Sequence, residues 1–134
     1  TGPESAIEFF HGYTYSGHPL AAAAGCATLD VYREDDLFNR AKSLEDKFAD
    51  ALHSLKGEPN VIDIRNFGLV GAVELTPIEG QPTARAMSIF RDCFDKGLII
   101  RTTGDNVAFS PPLIVEEQQI HDTIEMVRTS LRSA

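Results

Sequence analysis

The sequence predicts an α+β fold: a small antiparallel sheet with helices packed on one face, preceded by an Ala-rich helix. Three observations carry this. Several stretches place apolar residues three and four apart, as an amphipathic helix does. Short apolar runs come in pairs joined by glycine-containing turns, as antiparallel strands do. The predicted order is helix, helix, two strands, helix, two strands, helix, which suits a layer of strands with helices segregated to one side.

Residues 1–17 form a polar, glycine-containing lead-in with one apolar patch at Ile7-Glu8-Phe9-Phe10. Pro19 stands where a helix can begin, because its missing N–H costs nothing in a first turn. The run Leu20-Ala21-Ala22-Ala23-Ala24-Gly25-Cys26-Ala27 follows. Small residues around a whole helical circumference suit close packing on several sides, and this helix is expected to reach Glu34. A second helix is expected from about Asp36, with Leu37, Ala41, Leu44, Phe48, Leu52 and Leu55 in one stripe and Gly57 as terminator. Asp36 and Arg40 are placed as an acid-before-base pair one turn apart. Residues 61–65 and 69–75 read as strands around a turn at Asn66-Phe67-Gly68. Pro82 is expected to open a third helix, with Ala86, Met87, Phe90 and Phe94 inward and Gly97 at its end. Two short strands, 98–101 and 107–109, flank a turn at Gly104-Asp105-Asn106, and Pro111-Pro112 stops further pairing. Ile120, Ile124, Val127 and Leu131 mark the last helix.

The 134 residues are enough for one domain with a real core, and 43% apolar with 24% charged residues is ordinary for a globular fold. A formal net charge of −8 argues against nucleic acid or an anionic membrane as partner, since phosphates demand a basic face. No apolar run has the length of a membrane span, and the N-terminus lacks the layout of a secretion signal. The opening Thr1-Gly2-Pro3, without an initiator Met, points to a chain that starts inside something longer. Cys26 and Cys93 have no metal-ligand spacing and are expected as two buried thiols in a reducing, cytoplasmic compartment. The four scattered histidines add nothing to a metal site.

Few residues could carry chemistry. No Ser/His/Asp or Cys/His constellation and no nucleotide-binding glycine loop is present. The segment Gly12-Tyr13-Thr14-Tyr15-Ser16-Gly17-His18-Pro19 gathers hydroxyls and glycines before a helix N-terminus. Free amides and the positive helix end favour an anion there. On spacing alone, helix capping by Thr or Ser is the commoner use of such residues. Arg101 lies just before a glycine-containing turn, where its fork could grip a carboxylate. Taken alone, a solvated arginine at a strand end is the blander reading. Glu34-Asp35-Asp36 is expected as a helix junction that places negative charge at the next N-terminus, and Glu116-Glu117 does the same for the last helix. His18 is expected as a turn histidine bonded to backbone, and His11, His53 and His121 are given no role.

These segments together resemble a known family. His11-Gly12-Tyr13-Thr14-Tyr15-Ser16-Gly17-His18-Pro19, with the Ala-rich helix, is similar to the segment after the cofactor lysine in class III, fold type I aminotransferases. Gly97-Leu98-Ile99-Ile100-Arg101-Thr102-Thr103-Gly104-Asp105, with Phe109-Ser110-Pro111-Pro112-Leu113, resembles the family's closing hairpin. Phe67-Gly68-Leu69-Val70-Gly71-Ala72-Val73-Glu74-Leu75 fits one of its strands. The three blocks follow the family's order across essentially the whole chain. Their wording is nearest the branch that moves an amino group from ω-amino acids such as β-alanine to pyruvate.

The resemblance implies pyridoxal 5'-phosphate as cofactor and a homodimer. It implies that Thr14 reaches the cofactor phosphate of the partner subunit, with Tyr13 supplying a nearby backbone N–H. It implies that Arg101 grips the substrate carboxylate, serving both the amino acid and the 2-oxo acid. It also implies what is missing. The family's cofactor lysine lies upstream of its phosphate-reaching threonine, whereas Lys42, Lys47, Lys56 and Lys96 all follow Thr14. The family's pyridine-pairing aspartate and its glycine/serine phosphate loop are likewise upstream and have no counterpart here. Residues 1–35 are then expected to be a lead-in loop and connecting helix belonging to the interface with a large domain, and 36–134 a C-terminal small domain that is inactive alone. Two other readings stand beside this one: a non-catalytic dimerisation or partner-binding module, and a class III relative acting on ornithine, γ-aminobutyrate or diaminopelargonate.

Overall fold

A computed structural model describes residues 12–133 of the chain. The expected apolar patch at Ile7-Glu8-Phe9-Phe10 and His11 lie outside the described residues. The chain forms two compact units, one ending at Asp36 and the other beginning at Leu37.

In the first unit, a turn over residues 14–17 leads into α1 (Pro19–Glu34), with Pro19 in its first turn. The helix closes where the Asp35 amide bonds the Val31 carbonyl at 3.0 Å. None of its residues is buried within this unit. Cys26 is exposed here, contrary to the expected buried thiol, as are its neighbours along α1.

The second unit holds one core. Asp36 has φ 48°, outside the helical range, and α2 therefore starts at Leu37 (Leu37–His53). Its stripe Leu37, Leu44, Phe48 and Leu52 is buried, and Gly57, at φ 90°, ends the turns that follow. Strands β1 (Val61–Phe67) and β2 (Val70–Leu75) form a hairpin closed by the pair Phe67–Val70. Its loop is thus Gly68-Leu69, and Phe67 belongs to the strand instead of the turn. Gly68 takes φ 54°, the positive value that a tight two-residue hairpin loop needs.

Helix α3 (Ala84–Asp95) begins after Pro82, because Thr83 sits at φ 68° and cannot be part of a right-handed helix. Ala86, Ile89 and Cys93 are its buried stripe, three and four apart. The expected inward Phe94 is instead exposed, and Met87 and Phe90 are half-buried. Phe94 lies one position past Cys93, at the margin of the stripe, where it stacks on Phe90 with ring centroids 6.2 Å apart.

Strands β3 (Arg101–Thr103) and β4 (Asn106–Phe109) form the second hairpin. Residues 98–100, expected as strand, are held elsewhere. The Leu98 amide bonds the Cys93 carbonyl at 2.8 Å and the Gly97 amide bonds Phe94 at 2.9 Å, with Gly97 at φ 87°. That pair of bonds is a Schellman ending, so pairing starts only at Arg101. Helix α4 (Glu117–Ser133) buries Ile120, Ile124, Val127 and Leu131 as its spacing predicts.

The four strands are antiparallel in the order β1-β2-β4-β3. Gly71, Val73, Leu75, Val107 and Phe109 point into the core with α2, α3 and α4. The alternate positions form the opposite face, which α2, α3 and α4 leave uncovered. This is the predicted α+β architecture, with helices on one side of a small antiparallel sheet.

Candidate functional site

The uncovered sheet face gathers polar side chains in cross-strand rows. In the register, Arg65 stands opposite Ala72, Ala72 opposite Ala108, and Ala108 opposite Arg101. Residues opposite one another share a face, so two arginines flank a floor of two alanines, about 14 Å apart at three strand spacings. The neighbouring row is Asp63, Glu74, Asn106 and Thr103.

The two arginines differ in state. Arg65 donates to Asp63 at 2.8 Å, to Glu74 at 2.9 Å and to the Asn106 side chain at 2.6 Å. The Asp63 and Glu74 carboxylates raise its already high pKa, so it is a satisfied structural cation. Arg101 is exposed, and its guanidinium has no hydrogen-bond or ion-pair partner among the described residues. An unpaired fork on a strand start is a ready receptor for a carboxylate. Its strand is held from the core side, where the Thr102 hydroxyl meets the Met87 sulfur at 3.4 Å.

Arg101 also borders a groove of about 440 Å³. Its lining is mainly apolar, with Ile99, Ile100, Phe109, Pro111 and Val115 among the walls. Sequence reasoning singled out Arg101 but passed over the Arg65 cluster. The spacing of Asp63 and Arg65 put them on one strand face, yet only the pairing of β2 with β4 brings in Asn106.

The hydroxyl segment belongs to the first unit. Ser16 accepts the Tyr13 amide on its hydroxyl oxygen at 2.8 Å, and the Ser16 amide returns to the Tyr13 carbonyl at 2.9 Å. These bonds close a turn of their own. The helix N-cap is His18, which makes no side-chain capping bond, so neither Thr14 nor Ser16 caps α1. The His18 amide bonds the Tyr15 carbonyl at 3.1 Å, a main-chain bond; the expected side-chain bond of His18 to backbone is not found among the described residues. Thr14 is exposed, and its hydroxyl has no partner among the described residues. Tyr13 is exposed and spends its amide on Ser16.

The lysines are committed or solvated. Lys47 pairs with Glu117, and Lys96 bonds Asp92 at 2.5 Å and the Ser130 hydroxyl at 3.3 Å. Lys42 and Lys56 are exposed. No group of three or more His, Cys, Asp or Glu that could hold a metal occurs among the described residues, and no described helix is long and apolar enough to cross a membrane.

The comparisons with known proteins agree with one another. Residues 2–131 match the family model of the class-III aminotransferases. The chain is 58% identical over 130 residues to the omega-aminotransferase of Caulobacter vibrioides, covering 97% of this chain and 30% of that protein. It is 40% identical over 129 residues to the beta-alanine–pyruvate aminotransferase of Pseudomonas aeruginosa, covering 96% of this chain and 29% of the relative. A thermostable omega transaminase mutant from Pseudomonas jessenii superposes with a TM-score of 0.84 at 32% identity, over 93% of this chain and 29% of that one. The chain therefore spans about 30% of the length of the relatives that it matches. With family model, sequence relatives and fold in accord, the chain belongs to the class-III aminotransferases.

Proposed function

We propose that the protein carrying this chain is an ω-amino acid:pyruvate aminotransferase, a homodimer in which these residues supply the small domain and a connecting helix. The family generally works with pyridoxal 5'-phosphate, which supplies an electron sink for the carbon that loses its proton. The observation that carries the reading is the unpartnered Arg101 guanidinium at the start of β3, beside the groove.

The described residues fit one part of a cofactor site. The Thr14 hydroxyl is exposed and unpartnered among the described residues, and α1 begins five residues further on without a side-chain cap. A phosphate there would meet a hydroxyl, open amides and the positive helix end. In the dimer, Thr14 would hold the cofactor phosphate of the partner subunit. Tyr13 would contribute less directly, since its amide reaches a phosphate only by leaving the Ser16 hydroxyl.

The same residues do not fit the covalent attachment of the cofactor. Lys42, Lys47, Lys56 and Lys96 are all exposed, and none lines the groove. A catalytic lysine needs a desolvated pocket or a neighbouring base to work near neutral pH. The lysine, the pyridine partner and the main phosphate loop are therefore assigned to a large domain outside this chain. By itself the chain would be inactive.

Arg101 would act through positioning. A forked cation fixes both the place and the plane of a carboxylate, which aligns the amine at the other end of a short ω-amino acid. Pyruvate carries a carboxylate too, so one arginine would orient the substrates of both half-reactions. Kinetics of Arg101→Ala in the holoenzyme test this. The Michaelis constants for β-alanine and pyruvate should rise about tenfold or more, the scale of a charge-assisted bond. Unchanged constants would remove Arg101 from substrate binding. A cofactor-binding test of the chain alone complements it: a retained absorbance band that β-alanine shifts would show that a lysine here does the chemistry after all.

A further inference from the structure

The turn between β3 and β4 contains a carboxylate that touches neither Arg101 nor the groove, yet ties the hairpin to two other elements. Asp105 accepts the Thr83 amide on its side-chain oxygen at 3.0 Å. Its backbone carbonyl accepts the Leu75 amide at 2.9 Å. One residue thus links the tip of the hairpin to the start of α3 and to the end of β2. Thr83, at φ 68°, is a β-branched residue in the left-handed region, which persists only where surrounding bonds hold it. As N-cap of α3 it makes no side-chain capping bond of its own, and Asp105 supplies an acceptor from outside the helix.

Further along α3, the Met87 sulfur takes the Thr102 hydroxyl at 3.4 Å, next in sequence to Arg101. The hairpin is therefore gripped at its tip and beside the arginine, both times by the N-terminal half of α3. Arg101 projects to the opposite face with no partner of its own among the described residues, so the location of its fork depends on its backbone.

We propose that Asp105 is a positioning residue for Arg101: by accepting the Thr83 amide it fixes the β3–β4 hairpin and thereby sets where the arginine meets the substrate carboxylate. This rests on the reading of Arg101 given above. Charge is not the point, because Asp105 does not pair with Arg101. An acceptor oxygen of the right reach is what the Thr83 amide needs, and asparagine provides one.

The test is steady-state kinetics of the holoenzyme with β-alanine and pyruvate. Asp105→Ala should raise both Michaelis constants about fivefold, the scale of one hydrogen bond, with kcat within about twofold. Asp105→Asn should restore wild-type values. Asp105→Ala combined with Arg101→Ala should be no worse than Arg101→Ala alone, since the first acts only through the second. Should Asp105→Ala fail to fold, Asp105→Ser, too short to reach the amide, gives the same readout. Unchanged Michaelis constants in Asp105→Ala, losses that multiply in the double variant, or no rescue by asparagine would overturn the proposal while leaving the role of Arg101 intact. Unchanged constants in Arg101→Ala would bring down both.

Discussion

Gly71 offers the sharpest test of how the sheet packs on α2. It lies in β2 on the core-facing side, opposite Asn66 in β1 and Phe109 in β4. A Cβ added there would fall inside the contact distance of the Leu52 Cδ2 methyl, and 3.1 and 3.3 Å from two carbons of the Phe48 ring. Leu52 is 0% exposed and makes the nearest contact, so its methyl has to shift within a filled core, whereas Phe48, 2% exposed, borders the groove and can give more easily. Two effects oppose each other in Gly71→Ala. Restricting the unfolded chain stabilises by about 0.4–1 kcal/mol wherever alanine fits. Overpacking a well-filled core costs about 1–3 kcal/mol. The second is larger, and the expected net destabilisation is about 0.5–2 kcal/mol, at roughly 4–8 °C of Tm per kcal/mol for a unit of this size.

The partner variant fixes the cause. Leu52→Ala leaves a cavity and should cost about 2–5 kcal/mol. In the double variant the new methyl grows into that cavity, so the combined loss should fall short of the sum by more than about 0.5 kcal/mol. Urea unfolding followed by circular dichroism measures all three, with m-values checked for constancy. A neutral or stabilising Gly71→Ala, or additivity within about 0.5 kcal/mol, would refute the claim that glycine is there for the close approach of Leu52.

Acid should unfasten α4. Glu58 accepts from Arg132 at 2.8 and 2.7 Å and from Arg128 at 2.6 Å, and these bonds, Arg132 first, hold its carboxyl at about 2. A carboxyl whose folded value is depressed stabilises the fold above its ordinary value of about 4.5 and loses that contribution as pH falls toward about 2. Thermal melts should show Tm dropping through this window and a shallower drop in Glu58→Gln; parallel curves would discount the clamp. Asp92, lowered by Lys96 and Ser130, adds to the same acid sensitivity. Cys93 is fully buried and burial pushes its thiol up, so a thiol reagent should leave it unmodified in native protein and label it only as urea unfolds the chain. Native-rate labelling of Cys93 would contradict the packing of α3 on α4.

How much of this was legible in sequence depends on the range of the interaction. Helices α2 and α4 were readable because a 3.6-residue stripe is a local pattern, and α1 because Pro19 opens it and a run of small residues follows; Gly57 marks only the end of the turns after α2, which itself stops at His53. The errors fall where a distant or backbone-level feature decides. Thr83 in the left-handed region delays α3, and nothing in its residue type announces this. The Schellman bonds of Gly97 and Leu98 hold residues 98–100 out of the sheet although Leu98-Ile99-Ile100 is a good strand sequence. Of the candidate site, Arg101 was visible as an arginine before a turn. Its lack of a partner was not, because that follows from a sheet order in which alanines stand beside it.

Those alanines bear on the role proposed for Arg101. Ala72 and Ala108 lie between Arg65 and Arg101 in one row, so no acidic side chain of the sheet stands opposite Arg101, whereas Arg65 is surrounded by acceptors. If the free state of Arg101 is what binds a carboxylate, an internal competitor should weaken binding without unfolding the domain. Ala108→Asp places one directly opposite, on an exposed face where such a pair is worth about 0.2–1 kcal/mol. That is a rise of about 1.4- to 5-fold in the Michaelis constants of carboxylated substrates. The rise should shrink as added salt screens the new pair, and Ala108→Asn, of the same shape without the charge, should show little of it. An equal effect of Asn and Asp would point to crowding of the floor instead. No effect of either would mean that Arg101 meets its substrate out of reach of its own strand partner.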